Sequence, residues 1–179
     1  MKKMLLVPCL FLFSALILAQ QKAITAKEIL EAAYKKATAE NKNVLLIFHA
    51  SWCGWCHKMD SSINDPSCKK FFADNYIVTH LVVHESADKK QLENAGAEEL
   101  LRQYKAFDSG IPFWVVLDKN GKLLYDSFVK NVNGDLGIIG CPATEEEVNT
   151  FIKILNQSSL LSDKELKIIY AVFRKNEVN

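Results

Sequence analysis

The stretch Val44-Leu45-Leu46-Ile47-Phe48-His49-Ala50-Ser51-Trp52-Cys53-Gly54-Trp55-Cys56-His57 decides how the rest of the chain is read. Its first five residues are continuously apolar rather than alternating, which predicts a central strand covered on both faces. The Cys-x-x-Cys pair follows at once, where such a strand would give way to a helix. At a helix end, residues three apart are neighbours, so two sulfurs at this spacing can close a disulfide without unwinding the backbone. The first cysteine would also feel the positive end of the helix dipole, which favours the thiolate.

Two other chemistries fit part of this pattern. A zinc site would need two more ligands at similar spacing, and the sequence has no second Cys-x-x-Cys. Cys53-Gly54-Trp55-Cys56-His57 also reads as a c-type haem attachment motif. The strand directly upstream places it in a sheet-to-helix junction rather than an accessible segment. Met59, the one methionine beyond the N-terminal stretch, lies too close to His57 to reach the opposite haem face.

With 179 residues the chain is long enough for one domain with a proper core and short for two. The 22 basic and 21 acidic residues give no electrostatic reason to expect a nucleic-acid partner. Lys2 and Lys3 precede the nearly uncharged run Met4 to Leu18, and Ala19 stands before Gln20. This reads as a secretory signal peptide over residues 1–19, cleaved after about Ala19, because the run falls short of the roughly 20 residues a spanning helix needs. The expectation is an exported, periplasmic protein whose only membrane encounter is through that peptide. Cys9 leaves with it, so four of the five cysteines would remain, where disulfides persist.

Along residues 20–179, Thr25 with Glu28 forms a capping box, Ile24 and Ile29 a hydrophobic staple, and Ile29, Leu30, Ala33, Tyr34 and Ala37 recur at helical spacing. The helix opened by the cysteines should break near Asn64-Asp65-Pro66 and resume over Ser67 to Phe72. Tyr76 to Val83 reads as a second strand, and Asp88 to Phe107 as helical with an interruption at Asn94-Ala95-Gly96. Ile111 to Leu117 and Lys122 to Phe128 flank Asp118-Lys119-Asn120-Gly121, a hairpin signal since Asn-Gly suits positive φ. Val129 to Pro142 reads as a connection. Thr144 with Glu147, and Ser162 with Glu165, cap two closing helices. No repeat, low-complexity tract or linker interrupts the chain, so residues 20–179 are expected to form one α/β domain.

This order, the Trp52 to Cys56 segment and Ile111-Pro112 together resemble the thioredoxin superfamily over roughly Val44 to Leu155. The form of the motif is similar to exported bacterial thioredoxin-like proteins, such as the soluble domain of transmembrane thiol:disulfide interchange proteins. The resemblance implies a thioredoxin fold, a central mixed sheet flanked by helices, here with an additional C-terminal helix. It implies a redox-active Cys53–Cys56 disulfide, with Cys53 the attacking thiolate and Cys56 the resolving thiol. Pro112 would be cis and, with Ile111 and Gly54, would position substrate backbone, while Trp52 and Trp55 shape an apolar docking surface. The implied activity is that of a thiol:disulfide oxidoreductase, more a reductase than an oxidase. It would act on protein thiols or disulfides, exchange electrons with another protein, and need no metal or other cofactor, since the dithiol carries the two electrons.

The sequence departs from that pattern at Ile47, where thioredoxin usually carries a buried aspartate. His57 and Lys58 are then the nearest ionisable candidates for proton transfer. The same departure suits a binding or chaperone-like module that keeps the fold without turnover. Among the other residues, His49 at the strand end reads as a packed side chain near the motif. His80 and His84, on one face of a strand, would be ~13 Å apart, too far to share a metal. Cys68 and Cys141 read as two independent thiols, and a second disulfide between them is the alternative. Glu145 to Glu147 read as the acidic first turn of a helix, and Leu166, Ile169, Tyr170 and Phe173 as core.

Overall fold

The computed structural model describes residues 24–130 and 134–177. The signal-peptide reading of residues 1–19 lies outside them. No helix among the described residues is long and apolar enough to cross a membrane.

The first helix, α1 (Ala26–Glu40), starts at the expected Thr25–Glu28 capping box and ends at Asn41 in the left-handed region. Ile24 is 62% exposed, so the staple to Ile29 does not bury it. The strand β1 (Asn43–His49) follows and is buried from Val44 to Phe48, as its continuous apolar run requires. Then come α2 (Gly54–Ile63), α3 (Lys69–Asn75) and β2 (Tyr76–Val82). A 3-10 turn over Ala87–Leu92 and α4 (Ala97–Gln103) replace the interrupted helix. Asn94, at the interruption, accepts the Val82 N–H and donates to the Ile24 carbonyl, both at 2.8 Å, tying three elements together.

The sheet is completed by β3 (Phe113–Leu117) and β4 (Leu123–Asp126). Its order is β2-β1-β3-β4, with β1 parallel to β2 and antiparallel to β3, so the sheet is mixed. The hairpin turn carries Gly121 at φ +85, and a side chain there would meet the Tyr34 ring at 2.9 Å. Conformation and space both demand glycine.

The expected strand Lys122 to Phe128 ends early. At fully buried Ser127 the chain leaves the sheet, its hydroxyl accepting the Trp114 N–H at 3.2 Å. The stretch expected as a plain connection instead contains a two-stranded ribbon, β5 (Phe128–Lys130) with β6 (Leu136–Ile138). Strands of three residues carry too little pattern to be read from sequence. The chain closes with α5 (Glu145–Ser158) and α6 (Asp163–Phe173), both opened by the expected capping boxes.

Two apolar layers sandwich the sheet. One face packs Val44, Leu46, Phe48 and Val115 against α1 and α4. The other packs Leu45, Ile47, Trp114 and Val116 against α2, α3, α5 and α6. Phe151 anchors the second layer, with ring centroids 5.3 Å from Trp114 and 5.0 Å from Phe173. Leu166, Ile169 and Phe173 are buried there and Tyr170 packs against them, as the helical stripe predicts. The extra helix α6 is thereby part of the core, and each such aromatic buries a large apolar area.

Candidate active site

β1 delivers its last residues to the edge of the core, and the chain turns there to start α2. Cys53 is the N-cap of α2, and its Sγ accepts the Cys56 N–H at 3.1 Å. Cys53 and Cys56 are joined by a disulfide of 2.05 Å, with their Cα atoms 5.2 Å apart. Both are nearly covered, 3% and 1% exposed, and share a small buried cluster with Ala50, against which Ile111 packs. Exposure therefore does not distinguish the two sulfurs in this state. Their surroundings do, because Cys53 Sγ takes the helix N–H and lies 3.7 Å from the Ile111 carbonyl oxygen.

The Ile111–Pro112 peptide is cis. Pro112 is buried and Gly140 packs against it, while the Trp114 indole N–H donates to the Gly140 carbonyl at 2.8 Å. The segment after β6 is thus fixed beside the proline. Between Trp55, Ile111, Pro112, Gly140 and Cys141 runs a groove of about 540 Å³, closed on its far side by Thr144 and Glu147 at the start of α5.

Trp52 and Trp55 are 58% and 45% exposed, a large apolar area to leave in water. Trp52 is held by an indole N–H bond of 2.8 Å to the His84 carbonyl. Trp55 carries Lys58 Nζ over its ring, 4.3 Å from the centroid. His57, the other expected proton-transfer candidate, lies with Nε2 3.0 Å from the Ser51 carbonyl oxygen. Both side chains are thus engaged by neighbours at the rim. Gly54 opens α2 with open space where a side chain would stand.

Residues that the sequence leaves inconspicuous complete the site. Glu85, only 4% exposed, binds Ser51 directly before the motif. Ile47, fully buried, pairs in register with His80 of β2. His80 Nε2 is 2.7 Å from Asp60 Oδ1 on α2, and the His49 ring lies 5.0 Å from the His80 ring. His49 is therefore part of a polar cluster rather than a plain packed side chain. Burial, with His80 beside it, lowers the His49 pKa. Burial alone would raise that of Asp60, but the His80 hydrogen bond and the nearby imidazoles outweigh it and hold the carboxyl low.

His84 does not continue β2. It takes a left-handed φ of 55, and its ring lies 5.0 Å from Phe107. Cys68 and Cys141 are both free and buried. Burial pushes the Cys68 thiol up to about 11 and the Cys141 thiol up to about 12. Among the described residues no group of three or more His, Cys, Asp or Glu is arranged to hold a metal ion.

A mixed sheet between helical layers, with a Cys-x-x-Cys disulfide at the start of α2 and a cis-proline opposite it, defines a thioredoxin-like protein. The chain belongs to the thioredoxin-like family, whose match spans residues 25–119. Comparison with curated proteins finds no match. Among solved structures, the disulphide isomerase from Xylella fastidiosa Temecula1 is similar at 24% identity, covering 90% of this chain and 98% of that one, with a TM-score of 0.49. The oxidised C-terminal domain of DsbD from Neisseria meningitidis is similar at 21% identity, covering 76% and 98%, with a TM-score of 0.44. The germline-specific thioredoxin Deadhead from Drosophila melanogaster shares 25% identity, covering 58% and 82%, with a TM-score of 0.37.

Proposed function

We propose that this chain is an exported thiol:disulfide oxidoreductase that reduces disulfides in proteins outside the cytoplasm. The observation that carries the reading is the Cys53–Cys56 disulfide at the N-terminus of α2, with an N–H aimed at Cys53 Sγ. In the dithiol state that N–H and the helix dipole stabilise negative charge on Cys53, the form that attacks. The Cys53 thiolate attacks a substrate disulfide, forming a mixed disulfide and expelling one substrate thiolate. Cys56 then attacks Cys53 Sγ, the protein disulfide closes, and the second substrate thiolate leaves. The substrate gains two electrons and the protein loses them, to be restored by a second protein.

The surroundings suit a polypeptide substrate. Trp52 and Trp55 offer apolar contact beside the sulfurs, and the Ile111–Pro112 backbone borders the groove, where an extended segment can dock. Turnover of insulin disulfides by the mature protein tests the reading. Wild type should reduce them catalytically with a thiol donor, and Cys53→Ser should lose all turnover. Wild type that binds reduced or unfolded chains without turnover would instead make the fold a binding module.

A further inference from the structure

Resting on that reading, we propose that His49, supported by His80 and Asp60, takes up the Cys56 thiol proton when Cys56 resolves the mixed disulfide. Three elements build the cluster. Asp60 follows Cys56 by four residues on α2, so the two side chains stand on one helix face about 6 Å apart at Cβ. His80 of β2 pairs with Ile47, and its Nε2 sits 2.7 Å from Asp60 Oδ1. His49 comes two residues after Ile47 on the same sheet face, with its ring 5.0 Å from that of His80. The next residue, Ala50, packs in the buried cluster of Cys53 and Cys56. The chain thus carries an imidazole-imidazole-carboxylate array from β2 to the residue beside the cysteine cluster.

The chemistry of each member follows from its partner. A carboxylate only accepts, so His80 Nε2 must carry the proton toward Asp60, which fixes the His80 tautomer. Cys56 is only 1% exposed, so bulk water reaches its proton poorly. The groups that act electrostatically on His49 are His80 of β2, Asp60 and His57 of α2, and Glu85 after β2. The two carboxylates favour an imidazolium there, whereas burial and the other imidazoles oppose it. His49 is therefore neutral before the step and stabilised by Asp60 and Glu85 after it. His80 and Asp60 are positioning residues. In the step the Cys56 S–H proton passes to the imidazole, directly or through one water. The sulfur lone pair forms the bond to Cys53 Sγ, and the bond from Cys53 to the substrate sulfur breaks with its electron pair on the substrate.

One experiment separates this from the reading it rests on. Reduced protein is mixed in stopped flow with one equivalent of the aromatic disulfide dithiobis(nitrobenzoate). Attack by Cys53 releases one aryl thiolate and resolution by Cys56 releases the second, whose departure needs no proton. Burial raises the Cys68 and Cys141 thiols to about 11 and about 12, so neither is thiolate at neutral pH and neither competes. In wild type the second release should depend on a group titrating below 6.5, the ordinary value for His49. His49→Gln should slow the second release at neutral pH by roughly 100-fold, with the first release retained, and move its pH dependence to the thiol range near ~8.5. Asp60→Asn, which keeps the shape, should shift the same inflection. A second release with unchanged rate and pH profile in both variants overturns the proton role and leaves the oxidoreductase reading standing. Absence of the first release in wild type overturns both.

Discussion

Glu85 grips Ser51 with both carboxylate oxygens, Oε1 accepting the backbone N–H at 2.5 Å and Oε2 the hydroxyl at 2.8 Å. Glu85 is itself held, its N–H donating to Glu93 Oε1 at 2.8 Å. The loop that carries Trp52 into the motif is therefore clamped to the end of β2 by a buried charge. The adjacent bond from Trp52 to the His84 carbonyl belongs to the same clamp.

Removing the carboxylate tests that clamp. Glu85→Ala leaves the Ser51 N–H unpaired and should cost about 1.5–3 kcal/mol, the range for hydrogen bonds to a charged group. A chemical-denaturation midpoint should fall accordingly, and Trp52 emission should shift as its indole loses the His84 carbonyl. Unchanged stability would mean that solvent replaces the carboxylate at no cost.

The order of the two thiol attacks predicts an asymmetry between their serine variants. Cys56→Ser should accumulate a stable mixed disulfide with a peptide substrate, visible by mass spectrometry and released by reductant. Cys53→Ser should accumulate none. Equal trapping by both variants would contradict the assignment of Cys53 as the attacking sulfur.

Alkylation separates the redox pair from the other thiols. In the reduced native protein, iodoacetamide near neutral pH should label Cys53 and spare Cys68 and Cys141, whose burial pushes them up to about 11 and about 12. Both should become reactive on denaturation. Native labelling of Cys141 at the rate of Cys53 would contradict a thiol held at about 12.

Stability should fall with pH in two windows. His49 is lowered in the fold from its ordinary 6.5, so the unfolded chain binds that proton first. Its contribution is full above 6.5 and is lost as pH falls through the folded value. Asp60 is lowered from 3.8, so its contribution is full above 3.8 and is lost as pH falls through its own lower value. The thermal midpoint of His49→Gln should therefore vary less than that of wild type on acidification from neutral pH. Parallel curves would contradict a lowered His49.

The fold was largely legible in the sequence because its signals are local. Val44 to Phe48 could be apolar without alternation only if covered on both faces, and the layers on either side of β1 do cover it. Thr25, Thr144 and Ser162 each announced a helix three residues before a glutamate. Asn120-Gly121 announced the turn. What stayed hidden depends on register between distant segments. Ser51 and Glu85 lie 34 residues apart, and nothing near either one marks it as a partner. His49, His80 and Asp60 come from three elements and meet only because β1 and β2 run parallel with Ile47 opposite His80. The sequence reads His49 only as a packed side chain near the motif, because without the register nothing brings His80 beside it.

The most direct test of the central claim is a redox titration of the protein against glutathione, with Cys53 and Cys56 followed by alkylation and mass spectrometry. A reversible two-electron couple is predicted, closer to the ~−270 mV of a reductant than to the ~−120 mV of a strong disulfide donor. A pair that stayed fully oxidised or fully reduced across the whole range would contradict the oxidoreductase account.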